Sequence, residues 1–254
     1  MSESKPLGTA IRLATPNDAE AIRKVYAPYV ATPITFEEEE PAPAGFFARM
    51  EDVMAFYPCL VACECAADGR ILGNRTNAGC GGEKRIVGRC ADAAGDVALG
   101  GSGSPDGRGG TGEAARRIVG FAYAHRQAER AAYDWNAELS IYLRQGETHR
   151  GVGSALYGAL MELLALQGIR CAYARVTLPN AASERLHARF GFDTMGIQRN
   201  AGFKSGAWRD VAWFVKPLGS FDGDPKRPRP FPALLKENAA EIDRIIQQAN
   251  ARLG

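Results

Sequence analysis

The sequence predicts an α/β protein built on one mixed sheet, antiparallel in its first half, with a parallel crossover in its middle and helices on its flanks. Two observations predict it. Hydrophobic spacing switches between the strand and helix periods in the order β-α-α-β-β-β-α-β-α-β-β. Strands before the long central helix follow one another through short connections, apart from one insertion, whereas those after it alternate with helices, and a strand–helix–strand unit is the usual source of a parallel pair. A chain of 254 residues with 46% apolar and 24% charged residues is long enough, and apolar enough, to bury a substantial core.

The elements follow in order. Residues 10–14 read as a short strand, and Thr15-Pro16-Asn17-Asp18 supplies helix-start chemistry for a helix over 19–29, where Ile22, Val25, Tyr26 and Tyr29 recur at helical spacing. Residues 32–40 make an extended acidic connection, 43–56 a helix and 59–65 a strand with Cys59, Cys63 and Cys65 on one face. Residues 66–114 are rich in Gly, Asp, Arg and Ser and poor in large apolar side chains. Such a segment cannot bury enough surface to order itself and reads as a flexible surface insertion, with a short hairpin around Ile86 and Val87. Strands follow at 118–124 and 138–143. A strong helix over 151–167 carries Val152, Leu156, Leu160, Leu163 and Leu164 and is closed by Gly168. A strand at 171–176, a helix at 181–190 and strands at 192–197 and 207–215 complete a domain spanning residues 10–217. Residues 218–232 form a Pro-rich basic linker, and 233–254 a final helix with Leu234, Leu235, Ile242, Ile245 and Ile246, packed on the domain or on a second subunit.

Composition narrows the function. A net charge of +2 argues against a general nucleic-acid binder. No apolar run is long enough to cross a bilayer, and the polar start lacks the core of a secretory signal, so the expected compartment is the cytoplasm. The six cysteines (Cys59, Cys63, Cys65, Cys80, Cys90 and Cys171) are then expected as reduced thiols. The C-x-C spacing of Cys63 and Cys65 suits zinc poorly, so no metal is expected.

One turn points to a ligand. Residues 143–154 link a strand to a helix through Gly151, Gly153 and Ser154, and glycines there let backbone N–H groups approach a ligand closely at a helix amino end, where an anion is favoured. A pyrophosphate fits, with His149 and Arg150 as added donors. By itself the turn is equally well explained by steric need. It lacks the third glycine of a dinucleotide-binding fingerprint and the Gly-Lys-Ser/Thr of a P-loop.

The turn has company. The run Ala132-Tyr133-Asp134-Trp135-Asn136-Ala137-Glu138-Leu139-Ser140-Ile141-Tyr142-Leu143 resembles the central strand of the phosphinothricin acetyltransferases of the GNAT superfamily. So do Leu178-Pro179-Asn180-Ala181-Ala182-Ser183-Glu184-Arg185-Leu186-His187 with Gly191-Phe192, and Ala201-Gly202-Phe203-Lys204-Ser205-Gly206-Ala207-Trp208-Arg209-Asp210-Val211. Upstream, Ile11-Arg12, Ala14-Thr15, Asp18-Ala19, Tyr29 and Thr35-Phe36-Glu37 are similar to the family's opening. The resemblance implies the GNAT fold, in which two parallel strands splay and the pantetheine of acetyl-CoA pairs with the freed strand edge. It implies backbone contacts from Ile141, Tyr142 and Leu143, a pyrophosphate held by His149, Arg150, Gly151, Val152, Gly153 and Ser154, and hydrogen bonds near the sulfur from Asn180 and Ser183. The last two also fit helix capping. A homodimer is implied as well.

The expected chemistry is acetyl transfer from acetyl-CoA, as co-substrate, to the amine of a small acceptor. The resemblance makes Glu138 the general base, with a pKa raised by burial beside Trp135 and Tyr142; the plain alternative is a strand-end Glu facing water. A backbone N–H near Tyr142 is expected to stabilise the oxyanion, and Tyr142 and His187 are candidate partners for the leaving sulfur, although a lone helical His equally serves packing. Phe36, Arg130 and Tyr133 match positions that shape a pocket for an amino-acid-like acceptor of the phosphinothricin or methionine sulfoximine type, and Arg130 suits a bidentate anion contact. Two positions depart from the family: Ala128, where a basic residue is common, and Thr148, where Arg or Gln is usual. The rival readings are a GNAT enzyme for another amine and a non-catalytic acyl-CoA-binding module.

Overall fold

The structure is a computed structural model that describes residues 8–65, 117–147 and 150–253. The 66–114 insertion with its Ile86–Val87 hairpin, Cys80, Cys90, Thr148 and His149 lie outside the described residues.

The chain runs β1 (Gly8–Leu13), α1 (Ala19–Val30), α2 (Pro43–Phe56), β2 (Cys59–Cys65), β3 (Ile118–Arg126), β4 (Asn136–Leu143), α3 (Val152–Gln167), β5 (Cys171–Thr177), α4 (Ala181–Arg189), β6 (Asp193–Lys204), β7 (Ala207–Pro217), α5 (Phe231–Glu237) and α6 (Ala239–Ala251). Single 3-10 turns precede α1 and β4. The seven strands form one sheet in the order β1-β2-β3-β4-β5-β7-β6. Every neighbouring pair is antiparallel except β4 and β5, where α3 makes the crossover.

That parallel pair is short. It joins Asn136 to Cys171, Ala137 to Ala172 and Glu138 to Tyr173, and then stops, while β4 continues beside β3 to Leu143 and β5 continues beside β7 to Thr177. The two central strands therefore splay beyond Glu138. The Arg144 amide donates to Val119 O, and antiparallel alternation then turns the amides of Ser140 and Tyr142 toward β3 and those of Ile141 and Leu143 toward the gap.

Apolar side chains alternate across the sheet and build two cores. Ala137 and Leu139 of β4 join Leu156, Leu160, Leu163 and Leu164 of α3, with α5 and α6, on one face. On the other, Ile22, Val25 and Tyr26 of α1 and Phe46 and Met50 of α2 pack on Cys59, Val61, Cys63 and Phe121. The segment after β7 is part of the first core: Phe231, Leu234, Ile242, Ile245 and Ala249 are buried in it, so the tail packs on its own domain. It forms two helices rather than the single one expected. Asn238, at φ −120° and ψ 29°, leaves helical geometry and serves as both the end of α5 and the cap of α6. The Asn250 amide then bonds Ile11 twice, accepting from its N–H at 2.6 Å and donating to its carbonyl at 2.9 Å, and so pairs the free edge of β1.

Candidate active site

The splay and the amino end of α3 meet at one place. Gly151 takes a left-handed conformation (φ 77°) that suits glycine, and turns the chain from the end of β4 into α3. An added Cβ on Gly153 would stand 3.3 Å from Leu143 Cδ1, a tight contact that a small shift of that side chain would relieve, so helix and strand approach closely here. The amides of Val152, Gly153 and Ser154 precede the first intrahelical bond, which Ala155 makes to Gly151 O, and remain available to an anion. Arg150 lies beside them on the surface, bonded to Glu147 at 2.8 Å. Across the gap, Asn180 caps α4 by accepting from the Ser183 N–H at 3.2 Å. Asn180 thus fills the capping role foreseen for it, Ser183 is the residue capped, and Ser183 Oγ lies 3.4 Å from His187 Nδ1.

Glu138, Ser140 and Tyr142 share the face of β4 that looks toward α1 and α2. Glu138 is 6% exposed. Its neighbours differ from those expected: Arg175 Nε donates to its Oε1 at 2.6 Å, and His125 Nε2 lies 3.8 Å from the same oxygen. Trp135 instead packs on the segment after β7, donating to Lys226 O and stacking under Arg227, and Tyr142 lies two pleats further along the strand. Both contacts fall on Oε1, which leaves Oε2 facing away from them. Tyr142 sits among Tyr26, Tyr29 and Phe121, with ring centroids 5.0–5.3 Å away. Burial, then the neighbouring Tyr123, Tyr26 and Glu37, push its pKa well above the ordinary value, so its hydroxyl keeps its proton.

His187 is 2% exposed and fully engaged. Nδ1 donates to Ser183 O at 2.7 Å, Nε2 accepts from the Tyr157 hydroxyl at 2.9 Å, and the ring stacks on Phe214 at 4.8 Å. Burial lowers its pKa against the pull of the Ser183 carbonyl. It is a neutral imidazole inside the core, locking α4 to α3 and β7.

The other lining residues frame β5. Tyr173, Arg175 and Thr177 point to one face; Thr177 Oγ1 donates to Ile34 O at 3.1 Å, and Tyr133 neighbours Tyr173. Phe36 lies on the loop after α1, against Gly202 of β6, where a Cβ would meet the ring at 2.7 Å. Phe36 and Tyr133 are exposed, as is Arg130, and they flank opposite ends of β5 rather than touching. The sequence reading missed the residue that fixes this loop. Lys204, 7% exposed, donates to Val30 O and Thr35 O at 2.7 Å and to Glu37 O at 2.5 Å. Burial lowers its pKa, opposed by Glu37 and Glu38. Glu37 itself accepts from Tyr26 and Arg49. Among the described residues no cluster of His, Cys, Asp or Glu suits a metal ion.

A sheet splayed between its central parallel strands, with a glycine turn and helix amino end at the opening, defines the GNAT fold, and residues 112–213 match the family described as acetyltransferase (GNAT) domain. The chain carries a GNAT acetyltransferase domain. More particularly, it is similar to the phosphinothricin N-acetyltransferase of Streptomyces coelicolor, 42% identical over 103 residues that make up 41% of this chain and 60% of that protein. It is also similar to the L-methionine sulfoximine/L-methionine sulfone acetyltransferase of Pseudomonas aeruginosa, 31% identical over 118 residues, 46% of this chain and 66% of that one. The chain thus spans about 60% of the length of the first of these relatives. A GNAT superfamily phosphinothricin acetyltransferase from Sinorhizobium meliloti, solved in complex with AcCoA, superposes with a TM-score of 0.63 at 24% identity, covering 86% of this chain and 94% of that one. No helix among the described residues is long and apolar enough to cross a membrane.

Proposed function

We propose that this protein is a cytoplasmic, acetyl-CoA-dependent N-acetyltransferase acting on the amine of a small amino-acid-like acceptor of the phosphinothricin or methionine sulfoximine type. The observation that carries the reading is the opening between β4 and β5 beyond Glu138, with unpaired strand amides and the α3 amino end at the same mouth. Acetyl-CoA supplies an activated acyl group when bound. The amides of Gly151 to Ser154, with Arg150 and His149, would hold its diphosphate, and the gap-facing amides of Ile141 and Leu143 would pair with its pantetheine and bind the thioester oxygen. Glu138 would take a proton from the acceptor ammonium, directly or through a water, while Arg175 fixes the carboxylate. Tyr142, which holds its proton at neutral pH, would stand as donor to the departing sulfur. Asn180 and Ser183 would line the sulfur end, and His187 would act through the placing of α4. Phe36, Arg130 and Tyr133 would contact the acceptor.

Glu138→Gln tests the reading. Loss of a positioned general base lowers kcat by about 10²–10⁴-fold with little change in KM for acetyl-CoA. A kcat within about threefold of the parent across pH 6–9 removes Glu138 from the mechanism.

A further inference from the structure

A cavity of about 320 Å³ opens beside the amino end of α3. Its walls come from three stretches of chain: Gly151, Ser154 and Ala155 at the start of α3, Arg189 and Phe190 at the end of α4, and Arg252 just after α6. The third wall belongs to the segment that follows the sheet, and its position is fixed from both sides. Ile242, Ile245 and Ala249 anchor α6 in the core, and Asn250 is bonded twice to Ile11. Arg252 then runs along α3 over two glycines. Its carbonyl lies 3.8 Å from where a Cβ of Gly151 would stand, and its Nη1 3.1 Å from that of Gly158. Glu162 orients the guanidinium from 3.5 Å.

Two guanidinium groups, a serine hydroxyl and nearby helix amides make this a cationic recess rich in donors. Planar N–H forks match a phosphate dianion in charge and shape. The recess is contiguous with the amides assigned to the diphosphate, so it suits the second phosphorylated group on the same nucleotide. We propose that it receives the 3′-phosphorylated ribose of the coenzyme, and that Arg252 is a cofactor-binding residue contributed by the tail. This rests on the acetyl-CoA reading above and adds to it a role for the tail.

Calorimetric titration of the full chain with CoA and with 3′-dephospho-CoA tests it. The parent protein binds CoA about tenfold or more tightly than dephospho-CoA. Arg252→Ala loses about tenfold in affinity for CoA and none for dephospho-CoA, and Arg252→Lys recovers part of the loss. Equal losses toward both ligands, or no loss toward either, overturn the proposal. Should Arg252→Ala melt well below the parent, Arg189→Ala gives the same comparison from the wall that does not depend on the tail. A parent protein that binds neither coenzyme refutes the acetyl-CoA reading itself. One that binds both alike while still turning over refutes only the phosphate recess.

Discussion

Lys204→Met replaces a buried ammonium with an uncharged side chain of similar length. Three carbonyls, of Val30, Thr35 and Glu37, lose their shared donor. Hydrogen bonds to a charged group contribute about 1.5–3 kcal/mol each. Against that stands the cost of burying the charge, which is what depresses the Lys204 pKa. The loop carbonyls can turn partly toward water once released, so the three losses do not add in full. A net destabilisation of about 3 kcal/mol follows, and at about 2–4 °C per kcal/mol for a chain of this size Tm falls by about 6–12 °C. The residues released, 30–37, carry Phe36, assigned above to the acceptor, so KM for the acceptor rises more than KM for acetyl-CoA, whose diphosphate contacts are assigned to the amino end of α3. Thermal unfolding by circular dichroism and steady-state kinetics with each substrate varied read both effects. A Tm within about 2 °C of the parent, or equal rises in both KM values, refutes the clamp.

Asp18 sets an acid limit. Burial alone would raise its carboxyl, but Arg12, at 2.7 Å on both oxygens, and the Thr15 N–H and hydroxyl hold it below the usual carboxylate range. A folded-state value below the unfolded one means that the stabilisation is complete above about pH 4 and is lost as pH falls through the folded value. Asp18→Asn is therefore less stable by about 2 kcal/mol at pH 7, with the gap narrowing in urea unfolding as pH falls below about 4; a gap that stays the same size through acid unfolding refutes it. The β6–β7 hairpin exposes Phe203 and Trp208 at its tip, packed edge to face at 5.6 Å, and Met195 and Ile197 further along β6. These rings suit a contact with a second copy, so light scattering finds a dimer that the double substitution Phe203→Ser, Trp208→Ser converts to monomer; a monomeric parent refutes it.

Most of the sheet is legible in the sequence because burial on one or both faces writes a period into it. α2 and β2 begin and end where the apolar spacing starts and stops. β6 runs to Lys204, well beyond the 192–197 expected, because its side chains are almost all exposed and carry no alternation; only pairing with β7, with two register shifts, defines it. The break at Asn238 is hidden because the apolar residues on either side of it keep helical spacing. Glu138 and the glycine turn are local signals. The Arg175 partner is not, since it depends on the register of a parallel pair. Nor is Lys204, whose carbonyl partners lie 167–174 residues away in sequence.

The clasp between Asn250 and Ile11 joins residues 239 positions apart. During synthesis this edge strand emerges 239 residues ahead of its clasp, so over that stretch of translation the border stays unsealed and open to pairing with other chains. Until Asn250 has been added, the nascent sheet has no seal on that side.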